Sequence, residues 1–181
     1  EPMWDGSIYA YSSKEKRNSD WFGSALVQIK GKNIKKNSVN SLKYDLEIND
    51  LVKYKSHGGL LFFVVSINSN GETDIFYKSL TPYIINELIN SGKEQKTIRT
   101  EFCLFPKQPN DICNVVMDFI SDCKKQTIFT NNKIPTLNEF VKLAGKDISY
   151  NFEISNIGYK GDNSYRCFIG REMYLYARNT K

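Results

Sequence analysis

The sequence predicts an α/β (α+β) fold, in which a mixed central sheet is flanked by helices and followed by a C-terminal β-rich extension. Residues 60–67 form a continuous apolar run of strand length, which is typical of a central strand covered on both faces. Apolar residues recur at helical spacing over residues 110–125, which predicts an amphipathic helix. A chain of 181 residues is long enough to bury a substantial core around such elements.

The N-terminal stretch predicts two neighbouring strands joined by a hairpin loop over residues 12–24. The first strand carries Asp5 at its start, and the second carries Gln28 and Lys30. Successive side chains of a strand point to opposite faces, so Gln28 and Lys30 share one face. Ile29 is expected to point the other way, into apolar packing.

Alternation and cap residues predict the elements that complete the first half of the chain. Residues 42–48 alternate as strands do, and residues 73–78 are expected to return as a strand after the hairpin signal Asn70-Gly71. Thr81 followed by Pro82 is typical of a helix start, and Gly92 is typical of a helix end. The chemistry described below is therefore expected on a scaffold of mixed strands and helices.

The second half predicts a further strand over residues 97–105, the amphipathic helix, and then a tail rich in tyrosine and phenylalanine. A capping box at residues 136–139 indicates a short helix. Three strands are expected in the tail, over residues 148–154, 165–169 and 172–178. We therefore expect a core over residues 1–96 and an α+β extension over residues 97–181, with continuity between the two as the alternative.

Composition sets limits on where the protein works and on what it binds. The net charge of +5 is compatible with a polyanionic partner such as DNA. There is no apolar run of membrane-span length and no secretory signal, so we expect a cytoplasmic protein without a membrane partner. The sequence begins at Glu1, and we expect it to be a piece of a longer protein that carries a fused or associated effector domain.

The cysteines and the single histidine argue against zinc and against a serine-type triad. The four cysteines contain no C-x-x-C pair, and reduced thiols in the core are the expected state. A zinc site or a Ser-His-Asp triad would depend on His57 alone, and no companion spacing for either is present. A structural role is expected for His57.

An acid, an amide and a lysine on two neighbouring strands can form a site for a hard metal ion. Asp5 would supply a carboxylate, Gln28 an amide oxygen and Ile29 its backbone carbonyl, a ligand set that suits Mg²⁺ and also Mn²⁺. Lys30 would face the attacking water or the scissile phosphate. Three lysines that follow could contact the phosphate backbone of a nucleic acid, or could belong to a solvated loop: Lys32, Lys35 and Lys36.

Asp5-Gly6 followed by Gln28-Ile29-Lys30 resembles the PD-(D/E)XK nuclease superfamily, in the Mrr-like branch where Gln-x-Lys replaces Glu-x-Lys. The chain is also similar to an uncharacterised bacterial domain family of that superfamily, in which a Val-Gln-Ile-Lys strand precedes an amphipathic segment, an apolar strand and a hairpin ending in Tyr-Lys-x-Leu. The resemblance covers about residues 1–92. It implies a restriction-endonuclease-like core whose N-terminal helix is missing here, with Asp5, Gln28 and Lys30 as catalytic residues.

The resemblance implies a Mg²⁺-dependent endonuclease domain that cleaves DNA, in bacterial defence or restriction, and that can pair as a homodimer. The alternative is a non-catalytic module of the same fold that binds nucleic acid or a protein partner. Replacing Glu by Gln removes a negative charge from the metal site and favours that alternative. A third interpretation is an unrelated fold, in which Asp5 makes a turn with Gly6 and Lys30 lies on a solvated strand face.

Overall fold

The computed structural model describes residues 4–35, 40–92, 94–126 and 142, and the backbone of two strands near the C-terminus. The chain divides into two compact units, residues 1–132 and residues 133–181. In the second unit, Ser164–Ile169 and Met173–Arg178 form an antiparallel two-stranded sheet, close to two of the three predicted tail strands. The predicted helix at residues 136–139 and the predicted strand at 148–154 lie outside the described residues.

Within its described residues, the first unit is a mixed α+β structure with a six-stranded sheet and three α-helices, which confirms the predicted fold class at this level. The sheet order is β1-β2-β4-β5-β6-β3, and only the β2–β4 pair among these neighbours is parallel. The elements in chain order are β1 (Gly6–Tyr11), β2 (Trp21–Asn33), β3 (Ser41–Glu47), α1 (Ile48–Ser56), β4 (Leu60–Ile67), β5 (Thr73–Leu80), α2 (Pro82–Ser91), β6 (Thr97–Leu104) and α3 (Pro109–Lys125).

Both faces of the sheet are packed, and β4 contributes to both cores. Phe62 and Val64 belong to a core that also contains buried residues of α1 and α2. Leu61 and Phe63 belong to a second core with the apolar face of α3. This explains why β4 has no polar alternation, because a strand covered on both sides needs apolar residues at every position.

The cap predictions for α2 are confirmed. The Thr81 hydroxyl accepts a hydrogen bond from the Ile84 amide at 3.4 Å, Pro82 is the first helical residue, and Gly92 caps the C-terminus. None of the helices in the described residues is long and apolar enough to cross a membrane.

The structure differs from the sequence-based prediction at the start of β2. Residues 21–24 were expected in the hairpin loop, but they extend β2 and pair with β1 across a β-bulge at Ala10 and Tyr11. Gly23 makes this possible, since a Cβ atom there would lie only 2.6 Å from the Ile120 side chain of α3. The close packing of α3 against Gly23 therefore keeps residues 21–24 in β2, although their sequence is typical of a loop.

The sheet continues past residue 96, which agrees with the alternative in which the core and the segment after it are continuous. β6 pairs with β3 along its length and with β5 at Leu104 and Cys103. α3 packs against β2 in the second core. The division between compact units falls instead between residues 132 and 133.

The cysteines whose side chains are described are free thiols. Cys103 and Cys123 are half-buried, whereas Cys113 is exposed on α3, so the expectation of core thiols was wrong for Cys113. Burial raises the pKa of the Cys123 thiol, and the nearby charge of Asp122 acts in the same direction. Such a thiol is a poor nucleophile near neutral pH.

Candidate functional site

The start of the β1–β2 ladder brings the Asp5 side chain into contact with Gln28. The Asp5 amide donates to the carbonyl of Val27 at 2.8 Å, and Val27 is the residue that pairs with Gly6 in the ladder. Asp5 Oδ2 then accepts hydrogen bonds from Gln28 Nε2 at 2.6 Å and from the Ile29 amide at 2.7 Å. The acid and the amide that were predicted to lie together are therefore in contact.

Gln28 is buried, with 5% of its surface exposed, while Asp5 is exposed. A buried amide needs a hydrogen-bond partner, because leaving it unsatisfied costs about 1–3 kcal/mol. The Asp5 carboxylate supplies that partner, and hydrogen bonds to an ionised group are stronger than neutral ones. The pair thus joins a solvent-facing acid to a polar group inside the sheet.

A hard divalent cation at this point would be held by the Asp5 carboxylate, the Gln28 amide oxygen and the Ile29 carbonyl, and this requires one change in the Gln28 side chain. The Gln28 amide presents nitrogen to Asp5, and half a turn about its last torsion would present oxygen instead. The Ile29 amide points toward the β1 side of β2, and the carbonyl of the same residue points to that side as well, since both groups of a strand residue face one edge. The hydrogen bonds from Gln28 Nε2 and from the Ile29 amide are both accepted by Oδ2 of Asp5.

A metal bound here would depend on a single carboxylate. Across the described residues, no three His, Cys, Asp or Glu side chains gather in a group that could hold a metal ion. Mg²⁺ keeps several waters and is commonly bound through one or two carboxylates and substrate phosphates. Metal binding at Asp5 would therefore be weak without a phosphate ligand.

Lys30 lies on the same face of β2 as Gln28 and is exposed. Ile29 lies on the opposite face, as expected, but it is 49% exposed, so the prediction that it enters apolar packing was wrong. The second core contains Ala25 and Val27 of this face and does not include Ile29. Lys30 thus has solvent access beside a buried amide.

The three lysines that come after Lys30 in the sequence differ from one another in their surroundings, and Lys32 is still part of β2. Lys32 donates to the Lys43 carbonyl of β3 and lies 5.8 Å from the centre of the Tyr44 ring. Its ammonium is therefore engaged within the protein. Lys35 is exposed, and Lys36 lies outside the described residues.

Helix α1 brings two side chains toward the site that the sequence analysis did not include. Tyr54 is buried, and burial raises its pKa to about 12, with further contributions from the negative charges of Asp50 and Asp5. His57 follows Tyr54 by three residues, and its ring lies 5.1 Å from the ring of Trp4, the residue before Asp5. The i, i+3 spacing of Tyr54 and His57 was visible in the sequence, but nothing there indicated which strand they approach.

The hydrogen bonds of His57 indicate its tautomer. Nδ1 lies 2.9 Å from the Lys53 carbonyl oxygen, an acceptor, so the neutral ring carries its proton on Nδ1. Nε2 then holds the lone pair. The ring is exposed, which leaves this nitrogen available to solvent and to ligands.

No family model, curated protein or solved structure matches this chain. Its chemistry therefore has to be inferred from its own residues and their geometry.

Proposed function

We propose that this chain carries a PD-(D/E)XK-like site for Mg²⁺-dependent hydrolysis of phosphodiester bonds in DNA. The observation that supports it best is the contact between the Asp5 carboxylate and the Gln28 amide at 2.6 Å, on adjacent strands. Asp5 and Gln28 are 23 residues apart in the chain. If these residue types occurred in the sequence only by chance, there would be no reason for their side chains to be in contact. A role in bacterial defence or restriction follows from the resemblance alone.

Each residue has a distinct part in this proposal. Asp5, the Gln28 amide oxygen and the Ile29 carbonyl would hold Mg²⁺, or Mn²⁺, which supplies Lewis acidity at the phosphate. Lys30 projects from the same strand face into solvent, where its ammonium can orient the attacking water and offset charge that develops on the phosphate oxygens. Lys35 can add a backbone phosphate contact, since its side chain is exposed.

A second candidate function is favoured by the hydrogen bonds on Asp5. Oδ2 accepts from two N–H donors, an arrangement that satisfies a carboxylate without any metal. In that case Asp5 secures the start of β1, and the fold serves as a non-catalytic module that binds nucleic acid or a protein partner.

DNA cleavage by the full chain tests the proposal. Supercoiled plasmid and circular single-stranded DNA are each incubated with Mg²⁺, Mn²⁺ or EDTA, and nicked, linear and shortened products are quantified. Cleavage is expected with either metal and not with EDTA. Asp5→Asn and Lys30→Met are each expected to slow it by about 10²–10³-fold, the usual effect of removing a group that stabilises the transition state.

Lys43→Met provides the matched control, because Lys43 is an exposed lysine of β3, which is the last strand of the sheet order that begins with β1. It is expected to cleave at the rate of the unaltered chain. Cleavage that persists in both site variants, or an unaltered chain that leaves the plasmid and the single-stranded DNA intact with both metals, would contradict the proposal.

A further inference from the structure

We propose that a single-stranded nucleic acid lies along the uncovered part of the β1–β2 hairpin, on the same side of the sheet as Gln28, with bases stacked on Tyr9 and Trp21. The inference rests on the proposed function for the position of the scissile phosphate, next to Asp5. It adds the class of substrate, a single strand, and two residues that bind it.

Strand register places the two aromatic residues on the same face as the candidate site. Ser24 and Leu26 precede Gln28 at alternate positions of β2, and Tyr9 of β1 pairs directly with Ser24. Residues paired directly across antiparallel strands share a face, so Tyr9 lies on the face of Gln28.

The β-bulge turns the Trp21 side chain to the same face as Tyr9 and Gln28. Ala10 and Phe22 pack against the core on the α3 side, so their neighbours Tyr11 and Trp21 point the other way. Tyr11 and Trp21 are paired in the ladder. Without the extra residue of the bulge, Trp21 would point toward α3.

Both aromatic side chains are open to solvent. Tyr9 is 64% exposed and Trp21 is 56% exposed, whereas Leu26, closer to the site on the same face, packs against the core beneath α1 and α2. The helical cover on this face therefore stops before Ser24, which is exposed. Two large aromatic rings are left on an open strand surface, where burial in the core does not account for them.

The spacing suits a nucleic-acid strand. Tyr9 lies four positions after Asp5, which corresponds to about 13 Å along a strand. With nucleotides about 3.4 Å apart when stacked, and farther apart when extended, two to four nucleotides would separate the phosphate at Asp5 from the base on Tyr9. Trp21 would then receive a base farther along the same strand.

Charge at the two ends of the face is complementary to a phosphate backbone. Lys30 lies beyond Gln28 at one end, and Lys14 and Lys16 are exposed in the loop that joins the strands at the other end. The acidic groups of that loop are engaged within it: Glu15 pairs with Arg17 at 2.5 Å, and Asp20 accepts from the Ser13 hydroxyl at 2.6 Å.

Aromatic side chains stack on bases only where the base faces are accessible. Those faces are covered by neighbouring pairs in a duplex and are accessible in a single strand, in which each stacked base contributes substantially to affinity without sequence preference. DNA and RNA share this chemistry, because base stacking does not involve the 2′-hydroxyl that distinguishes them.

Fluorescence anisotropy with the full chain in EDTA, where cleavage is blocked, tests the inference. The probes are labelled oligothymidylate, oligouridylate and a DNA duplex of the same length. At least one single strand is expected to bind at least tenfold more tightly than the duplex, and the tighter of the two identifies DNA or RNA as the source. Tyr9→Ala and Trp21→Ala are each expected to weaken that binding by about tenfold, while Trp21→Phe, which keeps a stacking ring, stays within threefold.

Ile75→Ala is the matched control, since Ile75 is 45% exposed on the opposite face of the sheet, where it pairs with Val65 of β4. It is expected to bind as the unaltered chain does. Equal binding of duplex and single strands, unchanged affinity in both aromatic variants, or an equal loss in Ile75→Ala would overturn the inference and leave a protein partner as the occupant of the face.

The binding inference and the nuclease proposal can fail independently of each other. Asp5→Asn is expected to retain most of its affinity for the single strand, because the stacking residues are unchanged. If the single strand binds through Tyr9 and Trp21 but no metal supports cleavage, the binding inference stands and the hydrolytic proposal fails. If plasmid DNA is cleaved but Tyr9→Ala and Trp21→Ala bind the single strand normally, the hydrolytic proposal stands and the binding inference fails.

Discussion

At the scale of single residues, the contact between Asp5 and Gln28 combines a structural and a chemical possibility. The amide is buried and the acid is exposed, so the pair links the interior of the sheet to solvent at the start of β1. A purely structural pair and a metal site make opposite demands on the amide. The structural pair needs its nitrogen toward Asp5, and the metal site needs its oxygen there.

Changing Gln28 to Glu separates these possibilities without an activity assay. In EDTA, Gln28→Glu should lose roughly 1–3 kcal/mol of unfolding free energy, because it replaces a hydrogen bond with two carboxylates in close contact. If the site accepts a cation, adding Mg²⁺ should restore most of that loss, since a ligand that binds only the folded state stabilises it. Thermal unfolding of the variant with and without Mg²⁺ measures both effects.

Gln28→Met is the control for this experiment. It removes the hydrogen bond to Asp5 and adds no charge, so its unfolding temperature should respond to Mg²⁺ no more than that of the unaltered chain. A Gln28→Glu protein whose stability is indifferent to Mg²⁺ would argue against a cation at this position.

At the scale of elements, the turn between α1 and β4 determines how the helix that carries His57 approaches the sheet. Gly58 and Gly59 both have positive φ, at +85° and +93°. A Cβ atom on Gly58 would meet open space, whereas one on Gly59 would lie 2.4 Å from the Leu80 carbonyl oxygen and 3.2 Å from Thr81 Cα. The two adjacent glycines therefore share the same backbone strain but differ in their surroundings.

Alanine substitutions at the two positions should differ in cost. Gly58→Ala is expected to lower the unfolding free energy by about 1–2 kcal/mol, the penalty of a left-handed conformation for a residue with a Cβ atom. Gly59→Ala should cost at least about 2 kcal/mol more, because its Cβ would collide with backbone atoms that cannot rotate away. Urea denaturation of the two variants measures the difference, and equal midpoints would contradict the close packing of this turn against β5.

Periodicity predicted some elements well and left others unclear. β4 and α3 follow from an unbroken apolar run and from helical spacing, which depend on local sequence. The start of β2 did not follow, because Trp21 and Phe22 belong to the strand through a bulge and through the contact of Gly23 with α3. A tertiary contact about a hundred residues away decides that segment.

At the scale of the whole molecule, the six-stranded sheet needs elements from both sides of residue 96. β6 lies between β5 and β3, so β3 has no place in the sheet without it. α3 covers one face of the sheet and contributes Val115, Phe119 and other residues to the second core.

Truncation tests where the folding unit ends. A fragment of residues 1–132 is expected to unfold in one cooperative transition, because it retains all six strands and three helices. A fragment of residues 1–96 should fail to fold, since it exposes the second core and leaves β3 unpaired. Circular dichroism and urea denaturation distinguish the two, and a cooperatively folded 1–96 fragment would show that β6 and α3 are accessory.

The sequence by itself determined the α+β class, the caps of α2, the buried central strand and the alternation that puts Gln28 and Lys30 on one face, since each depends on neighbours within a few positions. Only the tertiary structure decided that Asp5 meets Gln28, that Ile29 is left exposed beyond the second core, that β6 joins the same sheet, and that Trp4 meets His57. These features depend on which distant surfaces are buried together, and local periodicity carries no information about that choice.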